Sequence, residues 1–425
     1  MADSMHDRLR EVAAKLPPPD PRKAEAKRKG DHDAWEVEAI PKLFEDTPTI
    51  PTHDGGLDKP SKAQVVAYLR GLGQRLAFDT RSEQVIFDGK PVKEERIRTS
   101  YLRWASIGLD VPKETSRDAI DEVAMGNAFD PVIRYLDGTS GLDPISPFDV
   151  GRIYLGLDDE IQQAMVGKWL VAAVQRAYEP GSDMQYILTL MGAEALRKSW
   201  FLRALGGDHF SDSFRDPQSK DFLDWVKSSW LLECPEVDRE LRKGDPSLMK
   251  RLLTISIDKY RAPYARRPVD YPRRSVFAAT TNCRELLNAE GGDRRWWIVE
   301  CRQRVDVESL QRDRDRIWAG AREAYRAGEK PFFPLAIEAA ISERNKDYAI
   351  SLLFEDQLVP WLNQGGHNGF TVEHALMSAG CIYDTRDLKK TERNEAVKVL
   401  ERHGFERKRR KPPEGGRRCW RYWKK

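Results

Sequence analysis

Five residues separate Gly192 from the pair Lys198-Ser199, at the point where an apolar run, Ile187 to Met191, gives way to a helical pattern of Trp200, Phe201, Ala204 and Leu205. A glycine, a lysine and a hydroxyl at that spacing between strand and helix are the parts of a phosphate-binding loop. Backbone N–H groups and the positive end of the helix face the phosphates, the lysine adds charge, and the hydroxyl ligates Mg²⁺. The pattern G-x-x-x-x-G-K-[ST] fits at every position but one, because Arg197 stands where the second glycine belongs. If that position needs a left-handed backbone, arginine costs about 1–2 kcal/mol there, while its guanidinium could instead add a phosphate contact.

Downstream, "WLLEC" reads as an apolar strand that carries Glu233 at its end, with Glu236 on the loop that follows. Carboxylates at the carboxyl end of a strand beside a phosphate loop can manage Mg²⁺ and an attacking water. Asn282 ends "SVFAATTN", where its amide could orient that water, and Arg294 and Arg295 open "RRWWIVEC", suited to charge developing on a γ-phosphate. Taken singly, each has a bland counterpart: a Lys-Ser pair at an ordinary helix start, or two loop glutamates. Their succession in functional order predicts an ATP and Mg²⁺ site with Gly192, Arg197, Lys198 and Ser199 on the nucleotide. Ser199 and Glu233 would hold the metal, and Glu233, Glu236, Asn282, Arg294 and Arg295 would serve the chemistry.

Two further segments pair charge with aromatic rings. In "DKYRAPYARRPVDYPRR", Lys259, Tyr260, Arg261, Arg266 and Arg267 interleave as a single DNA strand requires, charges tracking phosphates and rings stacking on bases. From Arg402 to Lys425 there are eleven Lys or Arg against two Glu, a net +9 in a chain whose total is +3. Arg407, Lys408, Arg409, Arg410, Arg417 and Arg418 lie in that stretch, with Phe405, Trp420, Tyr422 and Trp423 among them, which predicts a DNA surface.

These residues need elements to position them. The runs "YILTLM", "SWLLEC", "SVFAATTN" and "RWWIVEC" alternate with helical patterns, as in a parallel α/β sheet. Ahead of them, 1–59 reads as a disordered tether, 60–124 as a small α+β module with a hairpin turn near Arg81-Ser82, and the stretch to Ala177 as mostly helical. The ATPase domain is placed at 125–334. Residues 335–425 are placed as a linker helix followed by three helices and a hairpin turning at Pro412, Pro413, Gly415 and Gly416, the layout of a winged helix. The five cysteines are scattered without C-x-x-C spacing, which favours reduced thiols over disulfides or a zinc site, and no membrane span or signal peptide is apparent. Cytoplasmic location is the expectation.

The order of motifs resembles the helicase-like ATPase domain of the virulence-associated protein E family, itself similar to superfamily three helicases and the AAA+ fold. Beyond the motifs, "VGKWLVAAVQRAYEPG", "LRALGGDHFSDSF", "SIDKYRAPYARRPVDYPRRSVFAATTN", "GGDRRWWIVE" and "LQRDRDRIWAGAREAYRAGE" look like family segments. The resemblance spans roughly Met125 to Pro334. It implies an α/β, AAA+-like P-loop core with Lys198 and Ser199 on phosphate and Mg²⁺, Glu233 and Glu236 as the acidic pair, Asn282 as sensor, and Arg294 or Arg295 as an arginine finger. It also implies a hexameric ring acting on single-stranded or duplex DNA in phages and mobile elements, beside a separate primase or replisome protein. The departure lies in the loop, where a family-like sequence would place glycines at Ala195 and Arg197. Two readings therefore stand: an ATP-dependent DNA motor or replication-initiation helicase, and an ATPase-impaired scaffold that binds DNA and modulates a replisome. A pure transcription regulator would leave the acidic, sensor and arginine series unexplained.

Overall fold

In the computed structural model, Ser61 opens the first helix among the described residues: its Oγ accepts from Gln64 N–H, and the Gln64 side chain accepts from Ser61 N–H, a reciprocal cap at the head of α1 (Lys62–Arg70). The structure describes residues 59–106, 109–214, 219, 221–243, 246–260, 269–287, 293–350, 352–365, 367–410 and 419–424. The expected tether over 1–59 lies outside them, save Lys59. The chain divides into two units, at Tyr135 and Leu136.

In the first unit, β1 (Leu76–Asp79) and β2 (Gln84–Phe87) form the hairpin expected at Arg81-Ser82, with Asp79 opposite Gln84. With β3 (Lys90–Pro91) and β4 (Ala128–Phe129) they make a sheet of order β3-β2-β1-β4. Next come α2 (Glu94–Arg98), α3 (Ser100–Ser106) and α4 (Lys113–Gly126). Val65, Leu69, Val85, Phe87, Trp104 and Val123 share one core. The turn is pinned by Arg81, whose buried guanidinium meets Asp130 at 2.8 Å. Then α5 (Pro131–Gly138) leads the chain onward.

The second unit is built on a five-stranded sheet of order β11-β5-β10-β7-β6, with every neighbouring pair parallel. Its strands are β5 (Ile187–Met191), β6 (Phe210–Ser211), β7 (Leu231–Cys234), β10 (Val276–Thr281) and β11 (Trp296–Glu300). All residues of β5, β7 and β10 are buried, the near-continuous apolar run expected of strands covered on both faces. Around the sheet lie α6 (Val150–Leu155), α7 (Glu160–Tyr178), α8 (Lys198–Gly206), α9 (Asp221–Ser228), α10 (Val237–Lys243), α11 (Pro246–Thr254), α12 (Val307–Arg326) and α13 (Leu335–Arg344).

Tryptophan N–H groups tie helices to sheet and to one another. Trp169 of α7 donates to Phe277 O at 2.8 Å, Trp230 to Ala173 O at 2.9 Å, and Trp318 of α12 to Leu205 O at 2.9 Å. Gly320 lets the 143–149 segment lie directly on α12, since a Cβ there would sit 1.9 Å from Ile145 O. A separate antiparallel hairpin, β8 (Ile257–Tyr260) with β9 (Val269–Pro272), leads into β10.

Beyond α13 the chain stays tied to the sheet unit, because Tyr348 O accepts from Leu286 and Leu287 N–H at 2.9 Å. The end of the chain comprises α14 (Glu355–Asn363), α15 (Val372–Ser378), α16 (Lys390–Arg402) and an antiparallel pair, β12 (Phe405–Arg410) and β13 (Cys419–Lys424). Leu358, Trp361, Leu376, Val399, Leu400, Phe405 and Tyr422 form its core. The expected turn at Pro412 to Gly416 lies outside the described residues. No helix among the described residues is long and apolar enough to cross a membrane.

Candidate functional site

Strand order fixes which polar groups can meet. Because β10 lies between β5 and β7, the carboxyl ends of the three strands are neighbours, and Thr281 pairs with Met191 while Ala278 pairs with both Leu188 and Glu233. Side chains two residues apart on a strand share a face, so Thr280 stands on the same face as Glu233. Its hydroxyl donates to Glu233 Oε1 at 2.7 Å, and Ser199 of α8 donates to the same oxygen at 2.6 Å. Glu233 is fully buried, and its Oε2 has no hydrogen-bond partner. Burial pushes its carboxyl pKa up, while the hydroxyl bonds from Ser199 and Thr280 pull it down.

The loop from β5 to α8 is shaped by close contacts. Gly192 has φ of 152°, and a Cβ there would lie 2.8 Å from Cys301 O and from the Leu196 side chain. Arg197 is left-handed, at φ 61° and ψ 37°, the conformation that glycine adopts without strain. The first N–H groups of any helix lack intrahelical partners, and at α8 no N-cap side chain accepts from them. Behind the loop, Cys301 N–H donates to Met191 O at 2.8 Å and Val305 N–H to Leu196 O at 3.1 Å.

Lys198 is buried and turns back over its own loop. Its ammonium donates to Gly192 O at 2.7 Å, Ala193 O at 2.9 Å and Asn282 Oδ1 at 2.8 Å. Burial lowers its pKa, partly offset by Cys301, Glu194 and Glu233. The Cys301 thiol is itself pushed up to about 12 by burial. Asp238 of α10 accepts from Thr281 Oγ1 at 2.7 Å, and Thr281 Oγ1 accepts from Cys283 N–H at 3.0 Å, which fixes the turn holding Asn282. Thus Gly192, Lys198, Ser199, Glu233 and Asn282 converge from the loop, one helix and two strand ends.

The other residues picked out from the sequence stand elsewhere. Glu236 is exposed, has φ of 47°, and pairs with Arg239. Arg294 and Arg295 precede β11, whose first residue, Trp296, lies opposite Ile187. They are therefore at the amino edge of the sheet, roughly 16 Å from Gly192 at about 3.3 Å per strand residue. There Arg294 pairs with the buried Glu338, which also accepts from Tyr186 Oη, and Arg295 pairs with Asp293 at 3.2 Å.

Lys259 is exposed on β8 opposite Asp270, and Tyr260 ends that strand. Arg407, Lys408, Arg409 and Arg410 lie along β12. Arg261, Arg266, Arg267, Arg417 and Arg418 lie outside the described residues. Sequence reasoning missed Thr280, Asp238 and Glu338. Only the first left a signal, as one of two adjacent hydroxyls, Thr280 and Thr281, that close an apolar run just before Asn282.

The family model for the virulence-associated protein E-like domain matches residues 137–350, half of the chain. No curated protein matches it. Among solved structures, the A-form apo structure of the NrS-1 C-terminal region is similar over 86% of this chain and 99% of that one, at 13% identity and a TM-score of 0.45. A second apo structure of the same region covers 82% and 95%, also at 13% identity and 0.45.

Proposed function

The chain belongs to the virulence-associated protein E-like family, and we propose from that premise that it is an ATP-dependent DNA motor or replication-initiation ATPase of a phage or mobile element. In this reading the parallel sheet is an AAA+-like P-loop core, and the last three helices with β12 and β13 are a winged helix. The observation that carries it is the convergence of Lys198, Ser199, Glu233 and Asn282 at the carboxyl ends of β5, β7 and β10.

The donor chemistry fits a nucleotide with Mg²⁺. Ser199 Oγ and the Glu233 carboxylate are hard oxygens, two protein ligands being usual for a cation that keeps most of its waters. The open start of α8 and the Lys198 ammonium suit phosphate oxygens. ATP with Mg²⁺ would supply the phosphoanhydride to be cleaved. Lys198 would exchange Gly192 O, Ala193 O and Asn282 Oδ1 for phosphate oxygens, and Asn282, so released, could orient a water that Glu233 polarises. Glu236 would have to leave Arg239 to join as the second acid.

Arg294 and Arg295 stand too far from their own loop to touch its nucleotide. As arginine fingers they would serve a neighbouring copy, so the reading carries with it a ring of subunits, six by family likeness. DNA would be held by the β8–β9 loop and the C-terminal hairpin. Phosphate release measured with and without single-stranded DNA tests the proposal. Arg294→Ala and Lys198→Ala are each expected to be silent alone, with partial recovery on mixing, since a mixed ring pairs an intact finger with an intact loop. Silence of the parent, or no recovery in any mixture, would contradict it.

A second reading has its own observation. Arg197 holds a left-handed backbone at a cost of about 1–2 kcal/mol, and the Lys198 ammonium already has three acceptors, two in its own loop and the third at Asn282. Both features favour an ATPase-impaired scaffold that binds DNA, and a primase or replisome protein is the partner this second reading calls for.

A further inference from the structure

The C-terminal hairpin carries four aromatic residues, and their placement separates them. In β12 and β13, Phe405 faces Lys424, Arg407 faces Tyr422 and Arg409 faces Trp420. Directly opposed residues share a face, and faces alternate along a strand. One face therefore holds Phe405, Arg407, Arg409, Trp420, Tyr422 and Lys424. At its base Phe405 and Tyr422 are buried against α14, α15 and α16, so both are core. Trp423 lies on the opposite face and is half-buried against Gly369.

Trp420 differs, because it is 49% exposed on the part of the face that extends past the core. The Arg407 guanidinium carbon sits 4.4 Å from its ring centre, and Arg409 is its cross-strand neighbour, also exposed. A half-exposed indole forgoes much of the burial its area could give, and a nearby guanidinium covers only part of a ring.

We propose that Trp420, with Arg407 and Arg409 beside it, is a stacking site for one unpaired nucleobase of a DNA strand. This rests on the reading above that the hairpin contacts DNA, and it deepens that reading by naming the residue and the state of the strand. The two guanidinium groups, in a terminal stretch of net +9, call for a polyanion, and the half-exposed flat ring beside them calls for a flat partner. Bases inside a duplex are stacked on both faces and offer no ring. The partner of Trp420 is thus a base in a single strand or at a frayed end, and the site is insensitive to sequence because every base has a π-face.

The test uses the full chain and one oligonucleotide carrying 2-aminopurine, presented as a single strand and as a blunt duplex. Trp420→Ala is expected to weaken single-strand binding by about 5- to 150-fold, the worth of one stacked base, and to relieve 2-aminopurine quenching. Trp420→Phe should keep most of the affinity. Duplex affinity should stay within about twofold, and the salt slope should not change, since no phosphate contact is lost. Arg407→Ala with Arg409→Ala should instead flatten that slope by about 0.7 for each contact on a single strand.

Trp420 lies outside the hairpin core, so an unchanged thermal midpoint for Trp420→Ala confirms that the fold is intact. Unaltered single-strand affinity in that variant would overturn the stacking site, as would equal losses on strand and duplex. A parent chain with no affinity for either DNA would instead overturn the reading on which the proposal rests.

Discussion

Glu233→Gln is expected to leave nucleotide binding within a few-fold of the parent and to lower turnover by about 10²- to 10⁴-fold, the usual contribution of a positioned acid or base. The substitution preserves shape. A glutamine oxygen can still accept from Ser199 and Thr280, which hold Glu233 Oε1 at 2.6 and 2.7 Å. It removes the negative charge and sets an NH₂ where Oε2 now lies, buried and without a partner. Charge matters more than shape in the role proposed for Glu233, holding a cation and polarising a water. Calorimetry with ATP and Mg²⁺ reports binding, and single-turnover phosphate release reports chemistry. Turnover within about threefold of the parent would remove Glu233 from the chemistry.

The second large effect is on stability. Arg273→Ala should cost about 3–5 kcal/mol, because it leaves the buried Asp258 without its cation. Arg273 donates to Asp258 at 2.6 and 2.9 Å through two nitrogens and to Leu252 O through a third. Both side chains of the pair are almost wholly buried, so water cannot replace the lost bonds. The pair sits at the base of the β8–β9 hairpin, and Arg273 leads directly into β10. Amide exchange should therefore rise first in β8, β9 and the start of β10, and the urea midpoint should fall. A variant within about 1 kcal/mol of the parent would mean that Asp258 is satisfied some other way.

Local pattern carried much of this architecture. The runs read as strands, "YILTLM" from Tyr186, "SWLLEC" from Ser229, "SVFAATTN" from Ser275 and "RWWIVEC" from Arg295, contain β5, β7, β10 and β11, each starting one or two residues later, because a strand buried on both faces announces itself as a near-continuous apolar run. The helices and hairpin expected after Leu353 are present for the same reason of periodicity. β6 was not legible, since two residues, Phe210 and Ser211, make no pattern.

Register was not legible either. That Thr280 meets Glu233 depends on Ala278 lying opposite Glu233, a pairing between residues 45 apart in the chain. Arg294 gave no hint of its partner, because Glu338 comes from a helix 44 residues on. Among the tail aromatics, charge and ring content alone could not tell the core residues Phe405 and Tyr422 from the exposed Trp420. The left-handed backbone of Arg197, by contrast, follows from motif spacing, because the position is the one that demands glycine.

Whether the loop holds a nucleotide despite Arg197 is the central claim, and a calorimetric titration of ATP with Mg²⁺ tests it most directly. Three proteins suffice: the parent, Lys198→Ala and Arg197→Gly. The parent is expected to bind, Lys198→Ala to lose the ammonium proposed to meet the phosphates and bind too weakly to measure, and Arg197→Gly to bind up to about tenfold or somewhat more tightly as left-handed strain is relieved. No heat from the parent or from Arg197→Gly, or equal heats from the parent and Lys198→Ala, would contradict the account.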